Sequence, residues 1–250
     1  MPGKLSRIKQ MPSLYQSVVQ ALREAIISGS YQPGDALPSE MDLAAQLGVS
    51  RPVVREALRS LQSLGFVEIR RGIKGGAFVG DPGRLRLGEN LSDLIRLRRV
   101  TVAHLYQVRA HLEPEVCRLA ALMASDGDLT AIAALQAEYE ATAAIDRRVV
   151  LNARFHRLVA QACHNPLYAL LIDSIMDFTV EFVRAIKPAE RMLHQDHEHL
   201  EILSALQARD PGRAFALMQR HTANIAQEMN ALENTYLQVM AKAAGKARTR

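Results

Sequence analysis

Along most of the chain, apolar residues recur every three or four positions, the spacing of an amphipathic helix rather than a strand. Leu14, Val18, Leu22 and Ile26 predict a first helix near Ser13 to Ser28, stopped by Gly29. Pro33-Gly34 and Pro38 then mark a turn, after which Ser39 stands at an N-cap position with Asp42 as its capping-box partner. Leu43, Ala44 and Leu47 give the second helix its apolar stripe, and Gly48 ends it. Ser50 caps a third helix, and Pro52 is tolerated in its first turn because amide hydrogens there have no intrahelical acceptor. Val54, Ala57, Leu58 and Leu61 form the packed side of that helix. The period then breaks. In FVEIRRGIKGGAFV, β-branched and aromatic residues flank a glycine-rich basic loop, which predicts a hairpin. Past Gly80-Asp81-Pro82-Gly83 the helical period returns, interrupted at Ser125-Asp126-Gly127, His164-Asn165-Pro166, Lys187-Pro188 and Arg209-Asp210-Pro211-Gly212.

This pattern predicts a mainly α protein. Residues 9–80 form a winged helix-turn-helix with a small β-hairpin wing. Residues 81–90 are the linker and the start of a bundle, 91–235 an antiparallel bundle of six to seven helices, and 236–250 a frayed basic tail ending KAAGKARTR.

The third helix carries a second pattern: Arg51, Arg55 and Arg59 recur every four residues beside its apolar side. A row of arginines is also the mark of an ordinary solvated face, but a capped turn precedes this one, the layout that sets a recognition helix into a major groove. Arg51 and Arg55, nearest its start, are the best-placed readers, because a guanidinium can fork onto guanine or clamp a phosphate. Arg70, Arg71 and Lys74 at the wing tip can reach phosphates or the minor groove, while Gly72, Gly75 and Gly76 allow close backbone approach. No helix begins after this glycine cluster, which argues against a nucleotide-phosphate loop.

Charge supports a polyanionic partner. The formal net charge is +5, the pI is near 9.4, and basic residues outnumber acidic ones within residues 1–80. Cys117 and Cys163 lie far apart in apolar helical patterns without CxxC spacing, which fits a reduced, cytoplasmic setting. The first residues lack an apolar export signal, and no apolar run reaches membrane-spanning length, so no membrane partner is expected.

The helical region holds His104, His111, His156, His164, His194, His197, His199 and His221. If the helices flanking Asp210-Pro211-Gly212 form a hairpin, His199 and His221 lie level with each other, and His194 and His197 do not pair as well with His221. His156, in LNARFHRLVAQACHN, can supply a third imidazole. Three neutral imidazoles from three helices suit zinc, nickel or a similar divalent ion. Arg109, in VRAHLEPEV, has two readings: a fork for a carboxylate ligand, or a salt bridge to Glu113 at i+4.

The segment PGDALPSEMDLAAQLGVSRPVVREALRSLQSLGFVEIRRGIKGGAFV resembles the winged helix of GntR-type bacterial transcription regulators. The resemblance implies DNA contacts from Ser50, Arg51, Pro52, Val53, Arg55, Arg71 and Gly72, with Ser39 at the start of the second helix counted among them. One position departs from the family: an arginine usually follows Glu40, and here it is Met41. Met41 cannot pair with a phosphate, so that role disappears or passes to Lys9, Arg23 or the wing. Leu85 to Leu232 resembles the FCD-type ligand-binding domain of the FadR subgroup, through NARFH, EHLEIL and MQRH. That likeness implies metal ligands at His156, His199 and His221, with Asn152 standing where many members have aspartate. It also assigns Arg109 to an effector carboxylate.

The reading reached from sequence is a cytoplasmic, homodimeric transcription regulator, a repressor by family habit. It would bind a near-palindromic operator in double-stranded DNA and answer to a small organic acid. Two other classes compete with it: a DNA-binding protein without an effector, and a metalloenzyme in which three histidines activate water. The second lacks an HExxH motif and a general base beside His156.

Overall fold

A computed structural model of the chain describes residues 13–72, 75–80, 87–187 and 196–247. The chain divides between Leu85 and Arg86 into two compact units, each with its own apolar core.

In the first unit, α1 (Leu14–Ile27), α2 (Glu40–Leu47) and α3 (Arg51–Ser63) precede a hairpin of β1 (Val67–Arg70) and β2 (Gly76–Val79). Val18, Leu22 and Ile26 meet Leu43 and Ala44 of α2 and the Val54, Ala57, Leu58 and Leu61 side of α3, while Val67 and Val79 close the core. Leu47 is not part of it: at the open end of a two-turn helix, where the chain reverses at once through Gly48 (φ 65°), it stays 37% exposed. The α2 capping box is incomplete, because the Asp42 carboxylate takes the Ser39 hydroxyl at 2.6 Å while the Ser39 oxygen accepts only the Asp42 amide. Ser50 occupies the N-cap of α3 without a side-chain cap bond. Pro52 removes one amide such a bond would serve, and the Val53 amide turns to the Ser50 carbonyl at 3.1 Å.

β1 and β2 pair antiparallel, with Val67 opposite Val79 and Arg70 opposite Gly76. The chain leading into α2 anchors this wing: Leu37 donates its amide to the Ala77 carbonyl at 2.8 Å, and Ala36 bridges Phe78. Gly75 is required by close approach, since a Cβ there would lie 2.5 Å from the Arg70 carbonyl oxygen. Lys9 and Lys74 lie outside the described residues.

The second unit contains α4 (Leu87–Arg96), α5 (Val102–Met123), α6 (Asp126–Ala141), α7 (Ile145–Ala162), α8 (Pro166–Ile186), α9 (Asp196–Gln207) and α10 (Pro211–Ala247). The Ser125 and Asn165 breaks are helix starts: Ser125 forms a complete capping box with Asp128, and the Asn165 side chain accepts from the Leu167 and Tyr168 amides. Two joints carry neither glycine nor proline and gave no sequence signal. At one of them Arg98 takes a left-handed φ of 55°; at the other Thr142 and Ala144 leave helical geometry.

The C-terminal segment corrects the sequence reading. Residues 236–247 are not a frayed tail but continue α10. Tyr236 is buried against Phe178 and Phe182 of α8, with ring centroids 5.8 and 5.0 Å away, and its hydroxyl donates to Glu181 Oε1 at 2.8 Å. Burying an aromatic ring with its hydroxyl satisfied outweighs the weak helical tendency of a chain end. Ser92 of α4 donates to the other Glu181 oxygen at 2.6 Å, so one carboxylate joins α4, α8 and α10. No described helix is long and apolar enough to cross a membrane.

Candidate functional site

Two sites take shape, one in each unit. On the first, the packing of Val54, Ala57, Leu58 and Leu61 leaves Arg51, Arg55 and Arg59 exposed on α3. Ser50 and Pro52 are exposed at the start of the helix, and Val53 is half-buried against the core. Arg71 and Gly72 (φ 111°) are exposed beside β1. Arg70 is committed within the hairpin, over the Phe78 ring at 4.1 Å and paired with Glu68 at 3.3 Å, so it is less free to reach DNA than its sequence position implies. Arg23 lies over Phe66, and Met41 is 62% exposed. Glu40, which the sequence reading passed over, receives Arg55: Nε lies 3.1 Å from both carboxylate oxygens and a terminal nitrogen 2.8 Å from Oε2. Arg51 approaches the same oxygen at 4.0 Å.

In the second unit, α7, α9 and α10 bring His156, His199 and His221 together, all buried. The His221 Nε2 atom lies 3.3 Å from that of His199 and 3.3 Å from that of His156, and one ring nitrogen from each residue falls within 4.8 Å of the others. The hairpin at Asp210 sets His199 level with His221, as the spacing requires. Phe155 stacks on His199 at 4.1 Å and 10°, fixing the plane of that ring.

Two carboxylates set the rings' tautomers. Glu198 Oε2 lies 2.7 Å from His221 Nδ1 and is itself held by the Asn224 amide, which donates to Oε1 at 2.7 Å. Glu113 Oε2 lies 2.7 Å from His156 Nδ1, although the angle falls short of a well-aligned hydrogen bond. Burial pushes the Glu113 carboxyl up, but the Arg109 guanidinium and then His156 outweigh it and hold it far below the usual carboxylate range. Burial raises Glu198 too, and the His221 hydrogen bond more than reverses that. Both glutamates are therefore ionised acceptors, each facing the Nδ1 side of its ring, so that His156 and His221 turn their Nε2 atoms towards one another. Nitrogens converging at 3.3 Å can share a hydrogen or, with their lone pairs turned inward, hold a cation between them. This donor set fits a divalent metal, with carboxylates behind two of the ligands as metal-bound histidines commonly have.

Burial first, then the neighbouring rings, depress His199 well below the ordinary histidine value of 6.5 and His221 below it. An unfolded chain protonates these rings at about 6.5, whereas the folded chain does so only at lower pH. The unfolded state thus binds more protons in that interval, so the metal-free protein keeps its full stability above about pH 6.5 and loses it as pH falls towards the depressed values. Denaturant midpoints of EDTA-treated protein between pH 8 and 5 should follow this course. A flat profile would show that these rings take up protons in the fold as readily as in the unfolded chain.

For Arg109 the structure shows the salt bridge that one of the two sequence readings expected. The residue is 1% exposed and makes the i+4 salt bridge, with Nε 2.5 Å from Glu113 Oε1 and its guanidinium 4.9 Å from the Tyr106 ring centre. It also lines a cavity of about 40 Å³ beside the histidines, together with Arg148, Asn152, Thr179, His221 and Met229. Asn152 is half-buried one helical turn before His156. Glu113 and Glu198 are the residues that sequence reasoning missed as parts of the site. The available signals were their positions, Glu113 four residues after Arg109 and Glu198 directly before His199. His104 and His197 are exposed away from the cluster, and His194 lies outside the described residues.

An arginine-faced recognition helix with a wing, joined in one chain to a helical unit with a buried polar centre, defines a DNA-binding transcription regulator with a ligand-binding domain. Residues 14–79 match the family model of bacterial regulatory proteins, gntR family, and residues 104–224 match the FCD domain model. The chain belongs to the GntR family, in its FadR-like subfamily, whose members are transcriptional regulators that bind DNA operators and small-molecule effectors. It is 29% identical over 226 residues to the HTH-type transcriptional repressor NanR of Cronobacter sakazakii, covering 88% of this chain and 86% of that protein. The NanR of Salmonella newport is likewise 29% identical, over 231 residues and the same shares. The solved structure of Streptococcus agalactiae GntR has the same fold, with a TM-score of 0.65 and 23% identity over 85% of this chain and 99% of its own.

Proposed function

We propose that the protein is a cytoplasmic, homodimeric repressor whose hold on a near-palindromic operator is set by a small organic acid bound beside a metal ion. The observation that carries the effector half is the convergence of three buried imidazoles whose free nitrogens face one another, with Glu113 and Glu198 behind two of them. His156, His199 and His221 hold the ion, and the Asn152 carbonyl, adding no charge, takes the remaining protein position. Zinc or nickel suits such a nitrogen-rich set. The ion would supply positive charge to an effector carboxylate, and Arg109, engaged by Glu113 and Tyr106, lines the cavity with N–H donors to spare for it.

Charge points to an anionic effector. Arg109 balances Glu113, and the single charge of Glu198 offsets only half of a divalent ion's, so the buried site stays positive until an acid arrives. At about 40 Å³ the cavity has room for about three waters, so a metabolite must displace side chains such as Met229 to enter. The resulting shift reaches α8, whose Thr179 and Val183 line the cavity on either side of Glu181, the residue that ties in α4. An effector that favours one of two α8 positions would thereby alter DNA affinity by linkage.

Ser39, Ser50, Arg51, Pro52, Val53, Arg55, Arg71 and Gly72 form the DNA face in this reading, two copies meeting two half-sites. An apolar groove lined by Leu94, Val108 and Leu171 offers a second copy a surface to cover. Repression follows the names of the NanR relatives. A partner on the chromosome places the protein in the cytoplasm. Water activation at the histidines is disfavoured, because Glu113 and Glu198 both sit on the Nδ1 side of their rings, away from the converging nitrogens.

Thermal-shift screening of metal-loaded protein against small carboxylic acids, repeated with EDTA, tests this. At least one acid should raise the melting temperature, and EDTA should erase most of the rise. If no acid shifts it in either state, the sensor reading fails.

A further inference from the structure

Glu40 is the first residue of α2, placed there by the Ser39 N-cap, and its side chain crosses to α3 fifteen residues away in sequence. The pairing uses both carboxylate oxygens and two of the three Arg55 nitrogens, at 2.8 to 3.1 Å, with Arg51 at 4.0 Å on the same oxygen. An exposed ion pair of this kind adds little stability. The core of the unit does not include it: Leu43, Ala44, Val54, Ala57, Leu58 and Leu61 are buried, whereas Glu40 is half-buried and Arg55 exposed. A negative charge among the outward arginines of a DNA-binding helix also weakens attraction to phosphate. Some other benefit must offset that loss.

The donor inventory supplies one. A guanidinium has five N–H donors; Glu40 takes the Nε–H and one from a terminal nitrogen, leaving three, and a guanine edge needs two. We infer that Glu40 is a positioning residue for sequence reading: it holds the Arg55 fork in one direction and cancels its charge, so that Arg55 is satisfied by a base edge and poorly by a phosphate alone. The pairing also holds the Glu40 carboxyl below its usual range, so the charge persists at any pH at which the protein would be assayed. Met41 in the neighbouring position brings no cation to compete for that carboxylate.

This inference rests on Arg55 facing the bases. The test uses the full-length protein and the duplex it prefers, found by selection from a random-sequence library, with a shuffled duplex as the comparison. Glu40→Gln should bind the shuffled duplex several-fold more tightly than the native protein does, with a salt slope steeper by about two units, one for each half of the dimer. Its preference for the selected duplex over the shuffled one should fall by about tenfold. Structural damage would lower both affinities, so the opposite movement of the two numbers marks positioning. A preference within twofold of the native value overturns the inference. Arg55→Ala measured alongside keeps the two claims apart: if it too leaves the preference intact, the assignment of Arg55 as a reader is what failed.

Discussion

Replacing His199 with alanine should strip the protein of its metal while leaving it folded. His199 is the ring that Phe155 stacks on and one of the two that flank His221, so its removal leaves a pair of imidazoles too few for a tetrahedral site. Elemental analysis should find one ion per chain in the native protein and none in the variant. A metal present at about a thousand times its dissociation constant stabilises the folded state by about 4 kcal/mol. For a protein of this size that corresponds to roughly 10 °C in melting temperature, which EDTA should remove from the native protein and not from the variant. Because alanine also leaves a gap beside Phe155, His199→Gln is the better judge of stability: it keeps most of the volume and should be equally indifferent to EDTA. Metal content unchanged in both variants would mean that the ion, if bound, sits elsewhere.

What the sequence revealed and what it hid follow one physical division. Contacts fixed by helical period or by distance from a turn were readable: the α3 core side, the hairpin, and the level placement of His199 with His221 across the Asp210 turn. Contacts set by how helices face one another were not. Nothing in the spacing says that Glu40 meets Arg55, that Glu113 backs His156, or that Glu198 backs His221, since each crosses between elements through a side chain whose partner depends on packing. Tyr236 shows the same limit in the fold: the basic, alanine-rich sequence around it reads as a tail, and only the aromatic pocket on α8 makes it core. Arg109 illustrates it in the site. Its two sequence readings seemed to exclude each other, yet the buried salt bridge engages Nε while the residue still lines the cavity. Burial of that pair also argues for a preset geometry, because an arginine inside the bundle is tolerable only with its charge balanced.

Replacing Arg55 with alanine should remove the preference for operator over random DNA. A bidentate contact to guanine discriminates by about tenfold or more, and a two-fold dimer makes it twice, so the preference should fall by about a hundredfold or more. Arg71→Ala supplies the contrast: deleting a phosphate-binding guanidinium from the wing of each protomer should weaken operator and random duplex alike and reduce the salt slope by about two units. If Arg55→Ala still separates the two duplexes as the native protein does, α3 does not read sequence in the way its exposed face implies. The Glu40 pairing sharpens the expectation. Arg55 is charge-balanced in the free protein, so its removal exposes an unbalanced carboxylate at the DNA face, and random-duplex affinity should drop modestly as well. Glu40→Gln moves that same quantity upward. Two substitutions that break one ion pair, both lowering sequence preference but driving random-DNA affinity in opposite directions, would separate the charge of the pair from its geometry.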